Sequence, residues 1–239
     1  MIVSEKHSKE TDLILRTAKS LSRAIHNESK LDNEKLRLVP GGLCGFSGWS
    51  FRNFMNNMGE IKNLKYLEVG SYCGSTLIPL LYKNISNIHS AYAIDNWSEF
   101  NEFGDPRTTF YYNLNYFFEG DLEKLTVIED DCFSFDKNII KEKIDFYFYD
   151  GPHSEEDHYN AYIYYDDLLA DVFVTVVDDW NSERVKQGTK KAFKTLDYEV
   201  LASWEILTDD LPGWSENPDS NWWRGAYIAI IKKQKGKNK

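Results

Sequence analysis

Apolar positions recur along this chain first at helical spacing and then in short runs divided by helical segments. Over residues 8–27, Leu13, Ala18, Leu21 and Ile25 fall near one helical face, which predicts an amphipathic helix. In residues 39–50, VPGGLCGFSGWS, five of twelve positions are Gly or Pro, so a loop is expected there, followed by a second helix from about Trp49 to Met58. Beyond residue 60 the pattern predicts strands at 64–70, 90–95, 125–131, 144–151 and 171–179, and helices at 75–84, 107–118, 155–169 and 183–196. Such alternation predicts an α/β fold with a parallel, doubly wound sheet and helices on both faces. Two further strands, 198–207 and 225–233, have no helix between them and are expected to pair antiparallel, bridged by 208–224. The chain thus divides into a helical extension with a lid loop (1–60) and an α/β domain (61–239).

Composition narrows the classes. A length of 239 residues with 42% apolar residues is enough for a sizeable core. Aromatics reach 15%, a surplus that goes mainly to the core and partly to ligand sites. The net charge of −10 disfavours a nucleic-acid partner, and the basic end 232–239, KKQKGKNK, is expected to fray. Cys44, Cys73 and Cys132 have no metal-binding spacing and are expected to be reduced thiols. The first residues lack an apolar signal region and no run is long enough to span a membrane, so a cytoplasmic protein without a membrane partner is expected. A homo-oligomer is compatible with the helical extension.

In a doubly wound sheet, ligands bind beyond the carboxyl ends of the strands, so the residues there carry the chemistry. The first strand runs into EVGSYCGS (68–75), with Glu68, Gly70, Ser71, Gly74 and Ser75. Its glycines let ligand atoms approach the backbone beside a helix N-terminus. Asp95, 25 residues after Gly70, ends the next strand, where two carboxylate oxygens suit a ribose diol. Together they point to an adenosine-containing cofactor. Acids end the other strands too: Asp130 and Asp131 (before Cys132), Asp150, then Asp178 and Asp179. The last pair is notable because the apolar run 172–177 ends in two adjacent charges. Adjacent carboxylates repel and raise one another's pKa, and a hard dication on oxygen ligands removes that repulsion. Helix capping by Asp179 or Asn181 is the structural alternative.

These residues resemble a class I S-adenosylmethionine-dependent methyltransferase, over roughly residues 60–232. The resemblance implies a Rossmann-like, seven-stranded, mostly parallel sheet with an antiparallel last strand. IDFYFYDGPHSEEDHYNAY followed by VFVTVVDDWN is similar to the metal-dependent O-methyltransferases that methylate sugars and other small molecules. That implies S-adenosylmethionine as cofactor and a divalent metal, Mg²⁺ by ligand chemistry, on Asp150, Asp178 and Asp179. It also places Asp131 and Cys132 against the adenine and gives Asp150 a catalytic role. Where related sugar enzymes carry a second acid, this chain has Pro152. His153 is then the nearest candidate for the base, with His158 further along. The acceptor implied is a small sugar-like molecule. Its expected contacts are Trp180, Asn181, Trp214, Trp222, Trp223 and Arg224, the last suited to a phosphorylated or nucleotide-linked group. The alternatives are metal-independent N-methylation of an amine and a cofactor-binding scaffold without turnover.

Overall fold

The computed structural model describes residues 8–31, 43, 45–101, 104–120, 122–208 and 222–234. Trp214, Cys44 and the basic end beyond Gln234 lie outside the described residues. Two N-terminal helices, α1 (Lys9–Ile25) and α2 (Trp49–Met58), precede the sheet. Then come β1 (Leu64–Val69), α3 (Leu77–Leu81), β2 (Ile88–Ile94), α4 (Pro106–Phe118), β3 (Leu125–Ile128) and β4 (Ile144–Tyr149). The chain continues with α5 (Glu155–Ile163), β5 (Leu169–Asp178), α6 (Glu183–Thr195), β6 (Tyr198–Ile206) and β7 (Ala226–Lys233).

The seven strands lie in the order β3-β2-β1-β4-β5-β7-β6. The first five pair in parallel. β7 inserts between β5 and β6 and is antiparallel to both. Strand order reverses between β1 and β4, so a crevice opens beyond their carboxyl ends.

Both faces of the sheet are covered, and successive residues divide between them. Tyr66, Phe146, Phe148, Val174 and Val176 join a core shared with α1, α2, α3 and α4. Leu67, Val69, Tyr147, Tyr149 and Val177 join the opposite core, under α5 and α6. That period of two explains why the strands read as continuous apolar runs. The aromatic surplus is shared by both cores, and in the second Tyr147, Tyr162 and Tyr165 are completely buried. Burial of Leu13, Leu21, Phe51 and Phe54 places the N-terminal helices against the first core.

The helix starts follow local chemistry. Ser8 caps α1, Asp105 caps α4 ahead of Pro106, and Ser154 with Asp157 forms a reciprocal capping box on α5. Three elements are shorter than the sequence pattern predicts. The helix expected at 75–84 is only Leu77–Leu81, because Asn56 Nδ2 donates to Pro79 O and Tyr82 O and takes the carbonyls a longer helix would use. β3 ends at Ile128, and Asp131 instead accepts from Phe133 N in a turn. α5 ends at Ile163, ahead of a short 3₁₀ turn at Asp166–Leu168. No helix among the described residues is long and apolar enough to cross a membrane.

Candidate functional site

Beyond the carboxyl ends of the parallel strands lies a cavity of about 530 Å³. It holds residues from every one of those strand ends: Gly70 after β1, Asp95 after β2, Asp131 and Cys132 after β3, Asp150 and His153 after β4, and Asp178 with Asp179 at the end of β5. Trp223 and Arg224, just ahead of β7, complete the far wall.

Gly70 makes the crevice possible. It has φ +86°, and a Cβ there would sit 1.9 Å from the backbone oxygen of Asp150. The turn after β1 therefore passes against the end of β4, where no side chain fits. Beneath this turn Glu68 is wholly buried. Its Oε2 accepts from Tyr66 Oη at 2.6 Å and Thr76 Oγ1 at 2.8 Å. Burial raises its pKa to about 7, with those hydrogen bonds pulling the other way. Glu68, Ser71, Gly74 and Ser75 do not line the cavity. Asn113 Nδ2 holds Cys73 O from below at 2.9 Å, so this stretch is a braced platform beneath the open face.

Asp95 does reach the cavity. Its Oδ2 accepts from Tyr72 N at 2.7 Å and its Oδ1 from Trp97 N at 2.7 Å. Burial raises its pKa, and these amides hold the rise in check. Each oxygen keeps acceptor capacity for a diol. On the same side, burial beside Asp131 pushes the Cys132 thiol up to about 12, which makes it a packing group rather than a nucleophile.

The question of the two adjacent charges has a geometric answer. Neighbouring strand residues point to opposite faces. Asp179 has φ +54°, and this left-handed turn brings its carboxylate into the cavity beside that of Asp178. Asp150 stands opposite. Burial and mutual repulsion raise the pKa of both Asp150 and Asp178 well above the carboxylate range. His153 Nε2 lies 3.3 Å from Asp150 Oδ1 and 3.7 Å from Asp179 Oδ2. Arg224 Nη1 lies 3.1 Å from Asp179 Oδ2. In this arrangement, among the described residues, no group of three or more His, Cys, Asp or Glu is set as a metal-binding cluster. The donor chemistry is nonetheless that of a hard cation: three carboxylates line the same cavity, and Asp178 Oδ1 is buried without any partner.

Several residues expected at the acceptor are placed elsewhere. Trp180 is fully buried and stacks on Tyr227 at 4.3 Å, because the turn at Asp179 sends it into the core under α6. Trp222 is likewise core, packed on Phe51 and Phe54 at 5.9 and 6.3 Å. Asn181 does not line the cavity; its Nδ2 donates to Thr208 O and Oγ1, both at 2.9 Å, and its Oδ1 accepts from Thr208 N. Its own N–H donates to Arg224 O at 2.9 Å, so one residue ties both stems of the 209–221 excursion to the end of β5. His158 is also core: both ring nitrogens are buried without partners, and burial lowers its pKa to about 3. It cannot replace His153 as the base. Conversely, Phe46, Tyr72, Asn96 and Phe100 line the cavity and were not singled out by the sequence. Tyr72 lies inside the glycine turn, but nothing in its local pattern indicates the left-handed backbone that aims its ring.

Residues 67–180 match a family model described as "Methyltransferase domain". No curated protein sequence matches this chain significantly. Among solved structures, cofactor-bound Rv0187 from MTB shares 12% identity, covering 97% of this chain and all of its own length, with a TM-score of 0.56. A SAM-dependent O-methyltransferase from Thermotoga maritima shares 18% identity over 79% of this chain and 66% of its own, with a TM-score of 0.52. M. capricolum TrmK, in complex with S-adenosyl-homocysteine, shares 18% identity over 75% of this chain and 67% of its own, with a TM-score of 0.51. At these identities the likeness shows the fold.

Proposed function

We propose that this chain, whose residues 67–180 match a family model described as "Methyltransferase domain", is an S-adenosylmethionine-dependent O-methyltransferase, assisted by a divalent cation, acting on a hydroxyl of a sugar or another small polar molecule. The observation that supports this best is the composition of the cavity beyond the strand ends. Gly70, Asp95, Asp131 and Cys132 line one half of it, and Asp150, Asp178, Asp179 and His153 line an acidic half beside it.

S-adenosylmethionine, held by the first half, supplies an electrophilic methyl group. Asp150, Asp178 and Asp179 would hold a divalent cation, with Mg²⁺ fitting the all-oxygen donors, and its chemistry when bound would be the Lewis acidity that makes a hydroxyl more acidic. The chain's own contribution is positioning and proton removal. In-line displacement forms an oxygen–carbon bond as the carbon–sulfur bond breaks, so alignment by the cavity walls is a large part of the catalysis. The hydroxyl proton passes to the imidazole of His153, which lines the cavity with its Nε2 beside Asp150. Asp150 Oδ1, 3.3 Å away, stabilises the imidazolium that results. Pro152 leaves no other side chain at that turn to do this.

A second reading, metal-independent N-methylation, has one observation in its favour: the Arg224 guanidinium and the His153 ring already stand beside Asp179. Calorimetric titration with S-adenosylhomocysteine, in Mg²⁺ and then in chelator, tests the cofactor. Mn²⁺ titration of wild type and Asp179→Asn, followed by electron paramagnetic resonance, tests the cation. Micromolar cofactor affinity is expected in both conditions, about −8 kcal/mol, with Mn²⁺ binding lost in the variant. Absence of cofactor binding would refute the methyltransferase reading, and absence of Mn²⁺ binding to wild type would favour the second.

A further inference from the structure

Four rings from four separate segments meet at the cavity: Phe46 ahead of α2, Tyr72 in the turn after β1, Phe100 after β2 and Trp223 ahead of β7. Phe46 is the centre of the group. Its ring lies 5.6 Å from Tyr72 in a stacked arrangement, 5.6 Å from Phe100 edge-on and 5.7 Å from Trp223. Tyr72 and Phe100 meet at 6.1 Å. Phe100 remains 40% exposed although it packs against two other rings.

The backbone adds an independent observation. Tyr72 and Phe100 have φ of +44° and +58°, and Arg224, next to Trp223, has +45°. Bulky residues rarely adopt this conformation, and retained strain of this kind clusters at ligand sites. Local hydrogen bonds hold it in place: Trp97 Nε1 donates to Tyr72 O at 2.8 Å, and Tyr72 Oη donates to Phe100 O at 3.4 Å. Trp223 is fixed from the other side by the Asn181–Arg224 backbone bond. The rings are therefore positioned, and they face a cavity rather than filling a core.

Electrostatics restrict what can lie against them. The cavity lining holds seven carboxylates (Asp95, Glu99, Asp130, Asp131, Asp150, Asp178, Asp179) and one guanidinium, Arg224, which is already beside Asp179. Even with a dication on Asp150, Asp178 and Asp179 the lining keeps an excess of negative charge, so a phosphate brought here meets more repulsion than attraction.

Resting on the methyltransferase reading above, we propose that Phe46, Tyr72, Phe100 and Trp223 form the seat of the acceptor. The acceptor is then a sugar that carries the hydroxyl and is joined to a flat, apolar body such as an aryl aglycone, and is neither a free monosaccharide nor a nucleotide-linked sugar. Stacking on ring faces supplies the affinity, and the acids at the end of β5 receive the hydroxyl end.

The test uses the full-length protein saturated with S-adenosylhomocysteine and titrated with 4-nitrophenyl hexosides, the matching methyl hexosides and nucleoside-diphosphate hexoses. The aryl glycosides are expected to bind about tenfold tighter than the methyl glycosides, with the nucleotide-linked sugars weakest. Trp223→Ala and Phe100→Ala should each remove most of that preference while S-adenosylhomocysteine affinity stays within about twofold. Equal binding of aryl and methyl glycosides, tightest binding by the nucleotide-linked sugars, or no glycoside binding at all would overturn the proposal. A loss of S-adenosylhomocysteine affinity in the two variants would overturn it by showing that the rings roof the cofactor instead. Failure of the wild type to bind S-adenosylhomocysteine is a separate result, which removes the methyltransferase reading as well.

Discussion

Glu68 offers a prediction that can be worked through from one side chain. It is wholly buried beneath the glycine turn, with Tyr66 and Thr76 donating to Oε2 and with Oε1 unpartnered. Burial favours its neutral form, so it titrates at about 7 in the folded chain against 4.5 for an ordinary glutamate. A raised folded-state pKa means that the native chain binds more protons than the unfolded chain between these two values. The stabilising effect is complete below about pH 4.5, declines as pH rises and is gone above about pH 7. The difference of roughly 2.5 pH units amounts to about 3 kcal/mol. Glu68→Gln keeps an oxygen for Tyr66 and Thr76 but never ionises. Urea unfolding of both proteins at intervals between about pH 4.5 and pH 8 isolates this contribution, because every other titrating group is common to the two. The stability of the Gln variant relative to wild type should climb by about 3 kcal/mol across that range. A difference that stays constant with pH would refute the reasoning and show that Glu68 ionises freely in place.

Two further substitutions probe how the site is held. A Cβ at Gly188 would lie 2.2 Å from Glu155 O and 2.8 Å from His158 Cβ, where α5 and α6 pack. Gly188→Ala should therefore destabilise by about 1–3 kcal/mol in denaturant unfolding, despite the helix preference of Ala; a stabilised variant would contradict the close packing. Asn181→Ala removes three hydrogen bonds to Thr208 and should cost about 1–3 kcal/mol of stability. It should also weaken acceptor binding while S-adenosylhomocysteine affinity, measured by calorimetry, remains as in wild type.

The order of helices and strands was legible because each apolar run is a buried strand covered on both faces, and the pattern changes period at every helix. The strand-end acids were legible for the same reason: in a parallel sheet, whatever follows a buried strand arrives at one edge. Asp95, Asp131, Asp150, Asp178 and Asp179 all reach the cavity. Element ends were less legible, since partners distant in sequence set them. Asn56, for example, takes the carbonyls that would have continued α3.

The tryptophans and histidines mark where reading residue by residue stops working. Trp180 and Trp223 are the same residue type in similar polar surroundings, yet one stacks on Tyr227 in the core and the other lines the cavity. His153 and His158 are five positions apart; one faces two carboxylates and the other is sealed beneath α6 without a partner. By itself the sequence determined the sheet, the edge at which its strand ends gather and the acids that stand there, because these depend on periodicity and on chain direction. Only the tertiary structure decided which aromatic rings and which imidazole face the cavity. Those choices depend on single backbone turns, such as φ +54° at Asp179 and +44° at Tyr72, and on contacts between segments far apart in the chain, neither of which leaves a local pattern.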